Sequence, residues 1–167
     1  MLRKLLMGGT SGERTLVSTT EPHTSLQRMD TPITMKVGAS YSIIWKGTAS
    51  QGGTKYPFEI YGGDSVLSDM CSVRITTGTS AITIISSLFG IRANAITIST
   101  TSFFDIELKF TVVKVSTTNP LYTLNSELYI GGSLVSTENG IETSKSAGDG
   151  LRFYENLAGT FIIKKLS

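Results

Sequence analysis

Apolar and polar residues alternate strictly along much of this chain, and the pattern is clearest between residues 104 and 112. An alternation with a period of two predicts a β-strand with one buried face and one solvated face. The buried positions would be Phe104, Ile106, Leu108, Phe110 and Val112, and the solvated ones Asp105, Glu107, Lys109 and Thr111. The alternation slips at Val112-Val113, which a β-bulge or burial of both faces would explain.

Similar short runs recur from end to end, separated by Gly, Asn, Pro and Ser clusters. The candidate strands are residues 15–19, 32–37, 41–49, 55–61, 71–76, 95–99, 104–115, 121–130, 151–155 and 159–166. About ten short strands with such punctuation predict an all-β fold, a single jelly-roll-type antiparallel β-sandwich. Residues 79–95 fit this pattern less well and are predicted to be a strand followed by a loop. Residues 136–150, rich in Gly and Ser, are predicted to form a long exposed loop.

Two Gly-Gly pairs stand in similar surroundings, Gly62-Gly63 in "IYGGDS" and Gly131-Gly132 in "YIGGSL". A phosphate-binding loop would need a helix to begin after the glycines, with a Lys-Ser or Lys-Thr pair, and neither stretch has these features. Glycine pairs between alternating runs supply the positive φ angles of a two-residue hairpin turn. Both pairs are therefore predicted to be hairpin turns.

The N-terminus is predicted to be a flexible arm of residues 1–14, followed by the sandwich in residues 15–167. Its apolar stretch is shorter than the roughly 7–15 residues of a signal peptide core. Two hypotheses remain for it: a frayed end, or an arm that docks apolar side chains on a neighbouring subunit. The docking residues would be Leu2, Leu5, Leu6 and Met7.

Composition limits the function more than it defines one. Of 167 residues, 40% are hydrophobic and only 17% are charged, with a formal net charge of +2. This small excess of positive charge gives no strong attraction to nucleic acid. No apolar run reaches the ~18 residues of a membrane span. Cys71 is the only cysteine, which excludes an intrachain disulfide, and it is expected to be a buried apolar residue.

Catalytic residue types are scarce. His23 is the sole histidine, so no metal cluster built on several histidines is possible. Carboxylate pairs such as Asp105 and Glu107 could serve a glycosidase in principle, but they are usually just solvated on a strand's outer face. The chain is therefore predicted to be no enzyme and to need no cofactor. If it binds a ligand, the candidate aromatic surface is Trp45, Tyr61 and Tyr154, although alternation favours core packing for Trp45.

The order of these elements resembles a known family. The segments concerned are "ITMKVGASYSIIWKGTAS", "FEIYGGDSVLS", "FFDIELKFTVVKV", "LYTLNSELYIGG" and "GTFIIKKLS". From about residue 24 onward, the chain resembles small β-sandwich modules in virion proteins of tailed phages and some large DNA viruses, which are similar to the tumour-necrosis-factor-like jelly roll. The positions that carry the resemblance are Val37-Gly38, Tyr41, Ile43, Gly47, Tyr61-Gly62-Gly63 and residues 105–112. The chain departs from that pattern at "STTNPL", where those modules have a glycine turn, and it lacks their stem.

The resemblance implies a non-enzymatic structural protein of the virion: a jelly-roll subunit of a capsid, vertex, fibre or tail. Such a subunit would assemble with itself, as a trimer or alternatively a pentamer, and with other virion proteins. It would also be suited to host attachment, including contact with a host surface glycan. Two alternatives stay open: a carbohydrate-binding, lectin-like module, and a small hydrolase with convergent carboxylates.

Overall fold

The computed structural model describes residues 12–50, 52–62, 69–99, 101–146 and 150–167, and these residues contain twelve β-strands and no helix. The predicted all-β class is confirmed, with twelve strands rather than about ten. The strands are β1 (Arg14–Thr19), β2 (Gln27–Arg28), β3 (Ser40–Thr48), β4 (Gly53–Gly62), β5 (Asp69–Thr77), β6 (Ala81–Leu88), β7 (Ile91–Ser99), β8 (Phe103–Val115), β9 (Tyr122–Ile130), β10 (Ser133–Thr143), β11 (Leu151–Tyr154) and β12 (Gly159–Lys165).

The strands form two six-stranded sheets that pack face to face as a β-sandwich. The first, called the front sheet here, has the order β1-β12-β3-β8-β9-β10, and the second, the back sheet, has the order β2-β11-β4-β5-β6-β7. Every described strand pairing is antiparallel. Strands distant in sequence lie side by side, as β12 does between β1 and β3, so both ends of the described chain belong to the front sheet.

The core lies between the sheets and follows the alternation in the sequence. All five predicted inward residues of β8 are at most 2% exposed. From β3, Tyr41 stacks on Phe110 with 5.4 Å between ring centroids, and Trp45 lies 6.3 Å from Phe104. The bulge predicted near Val112 is present, because the register of β8 against β9 shifts between Val112 and Lys114. Side chains beyond the bulge turn outward, and Val113 is 45% exposed.

One predicted strand is absent. Residues 32–37 form an irregular segment between β2 and β3, although Ile33 still packs into the core. The backbone groups of Thr34 bond a side chain instead of a neighbouring strand. Its N–H donates to the Tyr41 hydroxyl at 2.6 Å, and the hydroxyl donates to the Thr34 carbonyl at 3.2 Å. A buried tyrosine thus takes the bonds that a strand partner would have taken.

Part of each predicted loop is a strand instead, while the strand predicted at the start of residues 79–95 is confirmed. Residues 79–95 hold β6 and the start of β7, joined by a turn at Phe89-Gly90. Residues 136–143, at the start of the predicted loop 136–150, belong to β10 and pair with β9. The polar side chains of β10 gave no alternation to detect, because this strand lies at the edge of its sheet.

The two glycine pairs have different structures. Gly131 and Gly132 form the predicted two-residue turn between β9 and β10, with φ angles of +58° and +78°. The prediction for the other pair is wrong at Gly62, which lies within β4 opposite Leu151. Residues 63–68, between β4 and β5, lie outside the described residues, and Gly63 is among them.

The boundary between arm and sandwich after residue 14 stays a prediction, although the first described residues already contact the C-terminal strand. Arg14 already begins β1 opposite Lys165, and the carboxylate of Glu13 lies 2.7 Å from the Lys164 ammonium. The predicted docking residues Leu2, Leu5, Leu6 and Met7 lie outside the described part of the chain.

Candidate functional site

The outer face of the front sheet carries a dense group of polar side chains on β8 and β9. Because alternate residues point to opposite faces, burying Leu108 and Leu128 turns Lys109 and Glu127 outward as direct cross-strand neighbours. Two residues away along each strand, Glu107 pairs with Tyr129 in the same way. This outer surface of β8 and β9, together with the adjoining residues of β3 and β10, is called the front face below.

Hydrogen bonds and charge contacts fix several side chains of the front face. The Ser42 hydroxyl donates to Glu107 at 2.5 Å, and the Lys109 ammonium lies 3.6 Å from the same carboxylate. The Tyr129 hydroxyl donates to Glu127 at 2.7 Å. The Lys109 ammonium also lies 4.2 Å from the centroid of the Tyr129 ring, within the range of a cation–π contact. The acidic groups and the aromatic ring are thus held in place before any ligand arrives.

A cleft of about 280 Å³ opens beside this network. It is lined by side chains of four strands and of the C-terminal segment, among them Ser40, Lys109, Asn125, Glu127 and Asn139. The amide oxygen of Asn125 accepts a hydrogen bond of 3.1 Å from the Gly140 N–H. Within the described part of the chain, neither the Asn125 amide nitrogen nor the Asn139 side chain has a hydrogen-bond partner. Donors and acceptors therefore remain available in the cleft.

A bulge in β10 brings Asn139 to the cleft. The pairing of β10 with β9 is interrupted between Glu138 and Ile141. Gly140 adopts a φ of +71° there, a conformation that costs glycine little and other residues more. The irregular backbone leaves the Gly140 N–H facing Asn125. The bulge therefore fixes the Asn125 side chain and places Asn139 in the lining of the cleft.

The environment of Tyr129 suits a binding surface. Its hydrogen bond to Glu127 raises the pKa of the phenol, with smaller contributions from burial and from the carboxylates of Glu127 and Glu107. The ring therefore stays neutral in physiological conditions, with its hydroxyl fixed on Glu127. Leu134 of β10 pairs with Tyr129 of β9 and is 52% exposed, so an exposed apolar side chain lies next to this tyrosine.

The structure brings together two of the three predicted ligand aromatics and excludes the third. Trp45 is fully buried in the core, which confirms the packing that the alternation favoured and excludes Trp45 as a ligand residue. Tyr61 and Tyr154 stack on the outer side of β4 and β11, with centroids 5.8 Å apart and an interplanar angle of 8°. Burial, hydrogen bonding to Tyr154 and the nearby Glu59 raise the pKa of Tyr61. Each ring covers a face of the other, which leaves less aromatic surface for a ligand.

No group of His, Cys, Asp and Glu suited to a metal ion occurs among the described residues. Nor does any helix there have the length and apolar character needed to cross a membrane.

Glu107 and Lys109 lie on the solvated face that the alternation of β8 predicts, whereas their neighbours on β9 and β10 were not predicted from the sequence. A signal for part of this set was present in "LYTLNSELYI", where Asn125, Glu127 and Tyr129 occupy the outward phase of the alternation. The pairing of β9 with β8 then joins the two polar phases into one surface. No alternation in the sequence predicts that Asn139 lines the cleft, because a bulge in β10 determines the position of this residue.

No protein-family model matches the chain, and no curated protein matches its sequence. Solved structures share its fold at low sequence identity. The native heptameric SAP-like pentraxin of Limulus polyphemus aligns with a TM-score of 0.50 and 12% identity, over 91% of this chain and 75% of the pentraxin. This likeness supports a jelly-roll-type β-sandwich and, at such low identity, concerns the fold alone.

Two other structures align less closely. The galectin LEC-6 of Caenorhabditis elegans gives a TM-score of 0.45 and 11% identity, over 90% of this chain and 95% of the galectin. The Ruminococcus gnavus IT-sialidase CBM40 gives a TM-score of 0.43 and 10% identity, over 92% of this chain and 90% of the CBM40 chain. The two antiparallel sheets and the pentraxin alignment define the class of protein, a jelly-roll-type sandwich, and the site must indicate the function.

Proposed function

We propose that this protein is a carbohydrate-binding module whose front-face cleft binds a glycan without cleaving it. The observation that carries the proposal is the concentration of asparagine, glutamate and lysine side chains beside an ordered tyrosine, in one open cleft on a rigid sheet. Sugar hydroxyls donate and accept hydrogen bonds, and amides and carboxylates match them in pairs. The apolar face of a sugar ring can pack on an aromatic side chain such as Tyr129.

Preorganisation supports binding at this site. The carboxylate of Glu127 is fixed by Tyr129, and the amide of Asn125 by the backbone of β10. A ligand would therefore not need to order these side chains, which saves part of the entropic cost of association. The carboxylates of Glu107 and Glu127 already accept hydrogen bonds, from Ser42 and Tyr129 respectively. These roles suit recognition better than the proton donation that a glycoside hydrolase requires.

The experiment is a titration of the protein with a panel of neutral oligosaccharides, measured by calorimetry, for the wild type and two variants. Glu127→Gln removes an ionised acceptor from the cleft, and we expect binding about tenfold weaker or more, as for loss of a charge-assisted hydrogen bond. Glu142→Gln is the matched control, because Glu142 is exposed on β10 and is not a lining residue of the cleft.

Failure of every oligosaccharide to bind, or equal effects of the two variants, would contradict the proposal. The glycan recovered after incubation should be intact, and cleaved products would favour the hydrolase alternative instead.

The role in a virion and the self-assembly implied by the resemblance stay predictions. Light scattering of the full chain and of a version lacking residues 1–9 tests the assembly, and copurification with particles tests the virion role. A full-length trimer or pentamer that the truncation weakens would support the arm, whereas monomers in both samples at high micromolar concentration would oppose it. A carbohydrate-binding site and a place in a virion are compatible, since attachment to a host glycan would need both.

A further inference from the structure

A second cleft, of about 270 Å³, lies on the outer face of the back sheet, on the other side of the sandwich from the front face. Two arginines, Arg74 of β5 and Arg92 of β7, are among its lining residues. Ser72 and Ser87 are paired across β5 and β6, and the partly exposed ring of Tyr56 forms another part of the wall.

A β-bulge places Arg92 on this face. Asn94 points inward, where its amide donates to Ser126 of the front sheet. In an uninterrupted strand the residue two positions earlier would point inward as well. The register of β7 against β6 shifts, however, so that Ser86 pairs with Asn94 and Ser87 with Arg92. The extra residue turns the side chains before the bulge to the opposite face of the sheet. Arg92 is therefore exposed while Asn94 stays buried.

Three positive charges surround the cleft without carboxylate partners. From the register and usual strand spacings, the Cα atoms of Arg74 and Arg92 lie about 12 Å apart, within the combined reach of two arginine side chains. The Lys145 ammonium lies 3.0 Å from the position that a Cβ atom at Gly90 would occupy, at the edge of the same cleft. Over the described part of the chain, none of these three residues forms an ion pair.

Two carboxylates lie near the cleft without lining it. Glu138 of β10 lines a neighbouring cleft together with Arg92, and Glu59 is paired with Ser72 in the back sheet. The Glu59 side chain is involved elsewhere, because it accepts a hydrogen bond from Asn156 at 3.4 Å and contributes to the raised pKa of Tyr61. Glu59 is not a lining residue of the cleft. The arginines therefore present a positive potential that an anionic ligand could neutralise.

The turn that borders the cleft is held in an unfavourable conformation by packing. Phe89 has a φ of +52°, which is unfavourable for a residue other than glycine. Its side chain is 3% exposed and lies against Tyr122 of the front sheet, with ring centroids 5.8 Å apart. Core packing thus fixes the position of Gly90, whose missing side chain leaves room for the Lys145 ammonium.

We infer that this cleft is a second binding site, for an anionic saccharide that carries a carboxylate or a sulfate group. Guanidinium groups match the planar oxygens of a carboxylate and the oxygens of a sulfate through paired N–H donors. The saccharide part of the inference rests on the proposed function, and the ring of Tyr56 and the hydroxyl of Ser87 support it locally. The inferred ligand is thus distinguished by its charge from the neutral glycan of the front face.

The test compares binding to immobilised dextran sulfate, polygalacturonate and neutral dextran at about 0.15 M salt, where weak long-range attraction is screened. The variant is Arg74→Gln with Arg92→Gln. The matched control is Arg14→Gln with Arg28→Gln, which makes the same change of charge at exposed positions on β1 and β2. Circular dichroism verifies that each variant keeps its β-sheet spectrum.

We expect the wild type to bind at least one acidic polymer, the Arg74 and Arg92 variant to lose tenfold or more of that affinity, and the control to keep it. Equal losses in the two variants, or no loss in the first, would overturn the site, because bulk charge would then explain the binding. Competition by inorganic sulfate as strong as that by a monosaccharide sulfate would overturn the saccharide specificity. Neutral-glycan titration of the same variant separates the two proposals, since the front face should be unaffected.

Discussion

Asn94 joins the two sheets of the sandwich through Ser126. Its amide donates to the Ser126 hydroxyl in β9 of the front sheet at 2.7 Å and to the Ser86 hydroxyl in β6 of its own sheet at 3.1 Å. All three side chains are at most 1% exposed. A polar group inside an apolar core is costly unless it is bonded, so this trio favours one registration of the sheets over others that would separate its members.

Replacing Asn94 with alanine should destabilise the fold by about 2–4 kcal/mol, because two buried hydroxyls would lose their partner. Urea denaturation measures this difference in free energy of unfolding. Asn156→Ala is the control, since Asn156 is exposed and bonds only Glu59 at 3.4 Å among the described residues, and it should change stability little. A double-mutant cycle of Asn94 with Ser126 should show a coupling energy of about 0.5 kcal/mol or more. Additive effects would mean that the bond between the sheets contributes nothing.

Phe110→Ala should cost about 3–5 kcal/mol, because the ring is 2% exposed and stacks on Tyr41. Lys109→Ala, at the next position of the same strand, should cost less than 1 kcal/mol, since the side chain lies on the outer face and its ion pair is partly solvated. Thermal unfolding of the two variants compares them directly. Similar losses for both would contradict the assignment of the buried face of β8.

Alternation predicted the central strands well because each of them buries one face and solvates the other. β8 and β3 show this directly, down to the bulge after Val112. Alternation does not predict a segment whose residues are mostly exposed, or one whose backbone bonds a side chain in place of a strand. β10 is a largely exposed edge strand without an apolar phase, and Thr34 bonds a tyrosine hydroxyl instead of a strand.

The candidate sites were less accessible to sequence reasoning, for two physical reasons. The front face combines strands that meet only through long-range pairing, so Glu127 and Lys109 become neighbours in the sheet and nowhere in the sequence. Bulges then change which residues face outward, as for Asn139 and Arg92, and a bulge changes the face of a side chain without a clear mark in the sequence. Aromatic content alone was misleading, because Trp45 is a core residue.

The turn between β9 and β10 should depend on conformation alone. At Gly131 and Gly132 a Cβ atom would meet nothing within 4 Å, so any cost of substitution comes from their φ angles of +58° and +78°. Gly131→Val should destabilise the fold by about 1–2 kcal/mol, as expected for a β-branched residue at positive φ. Gly131→Asn should cost clearly less, because asparagine tolerates this region better. The midpoint of thermal unfolding distinguishes them, and equal midpoints for Val and Asn would contradict a strained turn.

Glu155 is a carboxyl group buried in the sandwich directly after β11. The residue is 0% exposed, and within the described structure neither of its side-chain oxygens has a hydrogen-bond partner. Burial, and to a smaller extent the carboxylate of Glu21, raises the pKa of Glu155 to about 8, from an ordinary value of 4.5. The folded protein therefore keeps this proton at neutral pH, whereas the unfolded chain releases it.

Stability should fall as the pH rises from about 4.5 to 8, because the unfolded chain binds fewer protons than the folded one throughout this window. The contribution of Glu155 to the slope is at most about 1.4 kcal/mol per pH unit, and it vanishes above the folded pKa and below the unfolded one. Glu155→Gln cannot ionise, so urea denaturation at pH 5, 6, 7 and 8 should show a flatter profile. The variant should gain stability relative to the wild type as the pH rises.

Two further variants identify the cause. Glu21→Gln removes the neighbouring charge, so the pKa of Glu155 should fall modestly and the loss of stability toward pH 8 should become smaller. Glu142→Gln, exposed on β10, is the control and should leave the slope unchanged. If Glu155→Gln kept the slope of the wild type, the carboxyl of Glu155 would have to be ionised in the folded protein as it is in the unfolded chain. A residue that ionises at the same pH in both states contributes no pH dependence to stability, so that single result would contradict its burial as a neutral group.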